Sequence, residues 1–183
     1  MMRRQALAVL ATAMAATGAT AAVGAAEWIV APMPAGFIVG YRAIRGGNAV
    51  EERVPTGETV ADWTRMISVQ RFAGAAPLGA RGLLERMKTG IVQDCPGATA
   101  SAIIEGAEHN RRTATMRADC PLNAQTGKPE TFFARVVLGA NDLHSVQYAF
   151  RHVPSAAEAE TARAYLATVR LCPAIDPACA RQP

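Results

Sequence analysis

The sequence predicts an α+β fold. It is an antiparallel β-sheet of about six to seven strands packed with two main helices, α/β/α-sandwich-like, after an N-terminal signal peptide. Three observations predict it. Short runs of β-forming residues are separated by turn signals. Two segments switch to helical period and stand apart from one another. Four cysteines form an even set, all beyond the first 26 residues.

The elements follow in order. Residues 1–26 carry Arg3-Arg4, then the uncharged apolar run from Gln5 to Ala16, then small residues to Ala26. That order is the anatomy of a cleavable secretory signal. Ala19-Thr20-Ala21 and Val23-Gly24-Ala25 offer the small residues a signal peptidase needs, and the cut is placed near Ala25 or Ala26. The segment is long enough to span a bilayer, and if retained it would make an anchored structural protein of the envelope. Its Ala, Thr and Gly content favours cleavage. No Cys stands at a plausible cut, so a lipid anchor is not expected. Arg3-Arg4 matches a twin-arginine signal in part, which leaves the Sec and Tat export routes both open. The remainder, 27–183, is a single α+β domain.

Residues 27–36 read as an extended lead-in. Phe37–Ile44 is a strand, Gly46-Gly47-Asn48 a turn, and Ala49–Val54 a polar edge strand. Asp62–Phe72 is a strand in its second half, with Ile67 and Val69 on one face. Leu83, Leu84, Met87 and Ile91 make Leu78–Gln93 an amphipathic helix that stops before Pro96-Gly97. Ser101–Gly106 and Arg112–Cys120 form a hairpin around Glu108-His109-Asn110. Alternation buries Ala114, Met116, Ala118 and Cys120 on one face. Thr131–Leu138 and Leu143–His152 form a second hairpin, with Val146, Tyr148 and Phe150 pointing one way. Ser155 and Glu158 make a capping box for a helix to about Leu171.

Composition narrows the function. The formal charge of the whole chain is +4, and removing Arg3 and Arg4 leaves +2, too mild to indicate nucleic acid. Arg111-Arg112 and the scatter of Arg42, Arg45 and Arg53 read as solvated hairpin faces rather than a basic patch. Cys95–Cys120 and Cys172–Cys179 are the favoured disulfides, and the four cysteines lack the tight spacing of a zinc site.

No catalytic, cofactor or metal site is expected. His109, His144 and His152 read as surface residues. His144 and His152 would share one strand face, roughly 27 Å apart, too far for one ion. No nucleophile elbow or phosphate loop occurs. Glu51-Glu52 and Glu105 with Glu108 read as charged hairpin edges. Trp63, Met66 and Gln70 are the candidate ligand groove, against a packing role for the same residues.

Val54–Thr59, Trp63–Gln70, Cys120-Pro121, Phe132–Gly139 and Gln147–Arg151 together resemble a signature of uncharacterised exported proteobacterial proteins. The resemblance covers most of the mature chain and implies no activity. In element order alone the chain is similar to the PsbP/Mog1-like α/β/α sandwich. The expectation is an exported periplasmic or secreted protein acting as a non-enzymatic binding or accessory module. Its partner would be an envelope protein or a small molecule, with no cofactor, no nucleic acid and no stable membrane insertion. The alternative is a periplasmic hydrolase with a site assembled from distant residues.

Overall fold

The structure is a computed structural model that describes residues 27–173 and 179. Residues 1–26, where a signal segment and its cleavage site are expected, lie outside the described residues. Along the chain run β1 (Glu27–Val30), β2 (Phe37–Arg45), β3 (Asn48–Pro55) and β4 (Arg65–Phe72), then a 3-10 turn and helix α1 (Gly79–Asp94). Next come β5 (Thr99–Ala100), β6 (Ile104–Glu108), β7 (Arg111–Asn123), β8 (Lys128–Leu138) and β9 (Leu143–Phe150). Helix α2 (Ala156–Ala167) and β10 (Arg170–Pro173) close the order. Eight strands form one antiparallel sheet in the order β2-β3-β4-β9-β8-β7-β5, with β6 also on β7. β1 and β10 make a separate antiparallel ribbon.

Two cores sit on the two sides of the sheet. Under α1 lie Leu83 and Leu84 with Val54, Trp63, Met66, Met116, Phe132 and Val136. On the other side, α2 and the ribbon cover Ile67, Phe133, Val146, Tyr148 and Phe150. The period-2 pattern sets this division, because cross-strand partners share a face. The strands at the centre are buried on both faces: every residue of β9 except Gln147 is buried.

Local chemistry explains the element ends. His109 and Asn110 both take positive φ, 46° and 63°, which makes the β6–β7 loop a two-residue turn of the type whose twist suits a hairpin. The Ser155 hydroxyl accepts from the Glu158 backbone, and the Glu158 carboxylate accepts from the Ser155 backbone at 2.8 Å, closing the capping box. The Ser155 backbone N–H and hydroxyl, both donating to the Glu158 carboxylate, and His152 beside it lower the pKa of Glu158 to about 2.

Four sequence expectations change. The sheet has eight strands, because the short β5 and β6 both add to β7. β3 is an inner strand between β2 and β4, and the edge is β2, broken by a register shift between Val39 and Tyr41. Helix α2 ends at Ala167, not near Leu171: the Thr168 hydroxyl bonds the Tyr165 carbonyl, and Leu171 and Cys172 pair with β1 instead. That pairing also turns the first residues of the lead-in into a strand.

Both disulfides form as expected. Cys95 caps the end of α1 and ties it to Cys120 on β7; Cys172 on β10 binds Cys179. The loops they close span 25 and 7 residues. Replacing Cys95 and Cys120 by Ser should therefore lower unfolding stability by about 3 kcal/mol, and the Cys172/Cys179 pair by about 2 kcal/mol. Denaturant titration of the two double variants against the oxidised parent measures both losses.

Candidate functional site

A groove of about 500 Å³ lies between α2, the β6 edge and the face of β7 and β8 turned away from α1. Its floor follows from strand alternation. β7 turns Ala114, Met116 and Ala118 under α1, so Thr115 and Arg117 face the other way. Across the register, Thr115 pairs with Arg135 and Arg117 with Phe133. Helix α2 adds Arg163, Leu166 and Ala167 as one wall. Exposed Ile104 and the Ser101–Ala102 backbone form the other.

Three guanidinium groups border this apolar floor. Arg117 stands over the Phe133 ring at 5.4 Å and Arg163 at 5.6 Å, each a cation–π distance. Arg117 is held by Asp119, which also accepts from the Thr131 hydroxyl at 2.8 Å. Arg163 pairs with Glu160 at 2.9 Å, a solvent-exposed contact worth little. Arg135 is the most enclosed, with 13% of its side chain exposed. It pairs with Glu108, while its Nε is buried without a hydrogen-bond partner among the described residues. Burial lowers the Arg135 pKa, yet a guanidinium remains charged at any physiological pH.

A second polar cluster sits at the β8–β9 turn. The Glu27 carboxylate accepts from Arg111 and from the Ala140 backbone at 2.7 Å. A Cβ at Gly139 would stand 2.6 Å from Glu27 Oε2 and 3.0 Å from the Asp142 carbonyl, so a larger residue here would push the carboxylate aside and crowd the turn. His144 is 1% exposed, and both ring nitrogens are buried without a partner among the described residues. It is therefore not the surface histidine the sequence suggested; β9 is covered on both faces, and the ribbon lies over it. Arg53 is likewise buried rather than solvated. Its guanidinium donates to the Ala31 and Pro32 carbonyls at 2.8 and 3.2 Å and to Glu51 at 2.7 Å. Tyr165 donates to the same Pro32 carbonyl, and burial pushes its pKa to about 12.

The carboxylates expected at hairpin edges lie on two strands, Glu51 and Glu52 on β3 and Glu105 and Glu108 on β6. Burial raises the Glu51 pKa, but Arg42 and Arg53 outweigh it and leave the group lowered. Glu52 is raised by burial. Glu51 and Glu52 stand on an inner strand, so they guard no edge. Glu105 pairs with Arg81 and Arg112, and Glu108 with Arg135. Among the described residues no three His, Cys, Asp or Glu side chains converge as a metal site requires.

The residues singled out from sequence lie at separate places. Trp63 is buried under α1, with Arg151 4.2 Å from its ring centre, and borders a small pocket with Glu58, Asp62 and Lys128. Met66 is in the core below α1. Gln70 is half-buried and accepts from Gln147 across the sheet at 3.4 Å. The groove arginines were missed because arginine is frequent throughout the chain. The usable signals were Arg117, on the strand face opposite Ala114, Met116 and Ala118, and Arg135, a lone charge within the apolar run of β8.

No protein-family model matches the chain, and no curated protein matches it. Solved structures resemble it loosely in fold. Cyanobacterial PsbP (CyanoP) from Synechocystis aligns over 85% of this chain and 99% of its own, at 13% identity and a TM-score of 0.49. The Ran-binding protein Mog1p of Saccharomyces cerevisiae aligns over 78% and 84%, at 11% identity and 0.45. A single-residue mutant of Mog1 aligns over 75% and 78%, at 12% identity and 0.45. At these values nothing about activity is taken from either protein.

The buried His144 produces a pH dependence. Burial lowers its pKa; Asp142 and Glu27 raise it, and Arg71 and Arg111 lower it further. The unfolded chain thus takes up this proton at a higher pH than the folded one. Stability is full above the unfolded value of about 6.5 and is lost as pH falls from there toward the folded pKa. Between pH 7 and 5 the melting temperature should fall, and His144→Phe should flatten that slope. An unchanged slope in the variant would assign the proton uptake to another group.

Proposed function

We propose that this chain is an exported envelope protein whose single domain works as a non-enzymatic binding or accessory module. The observation that carries the binding reading is the groove beside α2: an apolar floor, a polar rim and a volume within the range of small-molecule sites. Its ionisable side chains are arginines already paired with carboxylates, an arrangement suited to holding a ligand rather than moving protons. Export is supported by the leader-like residues 1–26 and by two disulfides that use all four cysteines, as suits an oxidising compartment. None of the described helices is long and apolar enough to cross a membrane. Membership of the exported proteobacterial family, suggested by the Trp63–Gln70 stretch, belongs to the same proposal.

Two measurements test it. Protein recovered from cells should begin near Glu27 and fractionate with the periplasm or the medium; a chain beginning at Met1 in the cytoplasm overturns the export reading. Small molecules extracted from the envelope should raise the melting temperature of the parent by several degrees. Ala167→Trp, which fills the groove from an exposed helix position, should abolish that rise while leaving the unliganded melt unchanged. If the variant still responds, the groove is not the binding site.

A further inference from the structure

We infer that the α2 groove takes a small amphipathic carboxylate: one acid group on an apolar body, held acid-first by Arg135 and Arg163. This rests on the groove being the binding site and adds the class of ligand.

The apolar half of the ligand is set by the floor and walls. Phe133 is buried at the base, Leu166 and Ala167 line the helix side, and Ile104 faces them at 64% exposure. An exposed Ile beside an open apolar channel is covered when a chain or ring lies in it, and that burial contributes about 25 cal/mol per Å² removed from water. The groove is open along one side, so a slender body enters without displacing secondary structure.

The charged half is set by the arginines and by what they lack. Arg135 has one guanidinium N–H, at Nε, that is buried without an acceptor among the described residues. Leaving such a donor unmatched is costly, so a small rotation of the Arg135 side chain that brings Nε to a ligand oxygen in the groove is favoured. Arg163 keeps its planar fork at the rim, bound only to Glu160, whose own side chain is 70% exposed. It can turn from that weak pair to a ligand at small cost. Arg117 is committed to Asp119 through three contacts of 2.6–3.0 Å and stays as a wall over Phe133. Glu108 and Asp119 balance Arg135 and Arg117, and once Arg163 turns from solvent-exposed Glu160 one cation of the three is unmatched. The groove therefore accommodates one added negative charge with a planar, bidentate acceptor, the geometry of a carboxylate. A phosphate monoester, near −2, brings one charge too many.

The experiment is calorimetric titration of the protein as recovered from cells, below micelle-forming concentrations, with four probes of one chain length: decanoate, decyl phosphate, decanol and decyltrimethylammonium. Decanoate should bind at one site, at least tenfold more tightly than the other three. Arg163→Gln, at an exposed position, should weaken decanoate at least fivefold and change decanol less than twofold. Arg135→Gln should do the same, and its melting curve shows whether it is folded. Arg86→Gln, exposed on α1, should change nothing. Decanol binding as tightly as decanoate, both blocked by Ala167→Trp, would overturn the carboxylate assignment and leave the binding reading standing. Decyl phosphate binding more tightly would overturn it in the same way. Failure of all four probes, or binding insensitive to Ala167→Trp, would overturn the assignment together with the groove.

Discussion

The two-sided burial of the β8–β9 pair is the constraint from which the rest of the architecture follows. A strand covered on one face alternates apolar and polar residues; these two cannot. Phe132, Ala134 and Val136 face α1, while Phe133 and Val137 face the opposite layer. Leu143 and Ala149 face α1, while Val146, Tyr148 and Phe150 face α2. A helix is thereby required on each side. Tyr148 stacks with Phe150 at 5.1 Å and meets Tyr165 of α2 edge-on at 5.6 Å, so aromatic contacts fix where the second helix lies. Moving the register by one residue would exchange the two cores and leave both unpacked.

The groove is a by-product of how the second layer is shared. Helix α2 is 12 residues long and lies over β8 and β9. The β1·β10 ribbon takes the neighbouring surface beside His144. The ribbon reaches β7 only at its first residue, Arg111, and neither layer covers the middle of its polar face, where Thr115 and Arg117 point away from α1. A strand whose outer face carries Thr and Arg needs no cover, and the uncovered strip between α2 and β6 becomes the channel. The same division explains the buried cations. Arg53 and Arg135 stand where cover ends, and each is tied to a glutamate as it leaves water.

Much of the fold is legible in the residues because its determinants are local. The spacing of Leu83, Leu84, Met87 and Ile91 specifies α1; Ser155 and Glu158 start α2; alternation from Thr113 to Cys120 orients β7. The cysteine pairs follow from nearness in sequence and from Cys120 facing inward. What escapes notice is non-local. β1 and β10 are four residues each, and nothing in Glu27–Val30 reveals that its partner is Arg170–Pro173. The burial of His144 depends on that ribbon, so a single polar residue in a strand gave no warning. β3 looks like an edge because it carries Glu51, Glu52 and Arg53, yet Glu51 pairs with Arg42 and Arg53, and Arg53 reaches backbone carbonyls of the lead-in. The groove draws on four elements, and no stretch of sequence holds enough of it to show a pattern.

The ribbon has a consequence for the order in which this molecule can be completed. Its two strands are the first and last of the described chain, and Cys172 binds a residue later still. A ribosome makes β1 before any other element, but β1 has nothing to pair with until β10 has been made. Until then Ile29 and Ala31, which pack against the α2-side core, lack the layer they belong to. The sheet and α1 can assemble from neighbouring segments while the chain is still growing. The second layer is finished only once β10 has been made. A chain truncated before Arg170 would keep most of its sheet and lose the partner of β1, so the ribbon couples the two ends of the described chain.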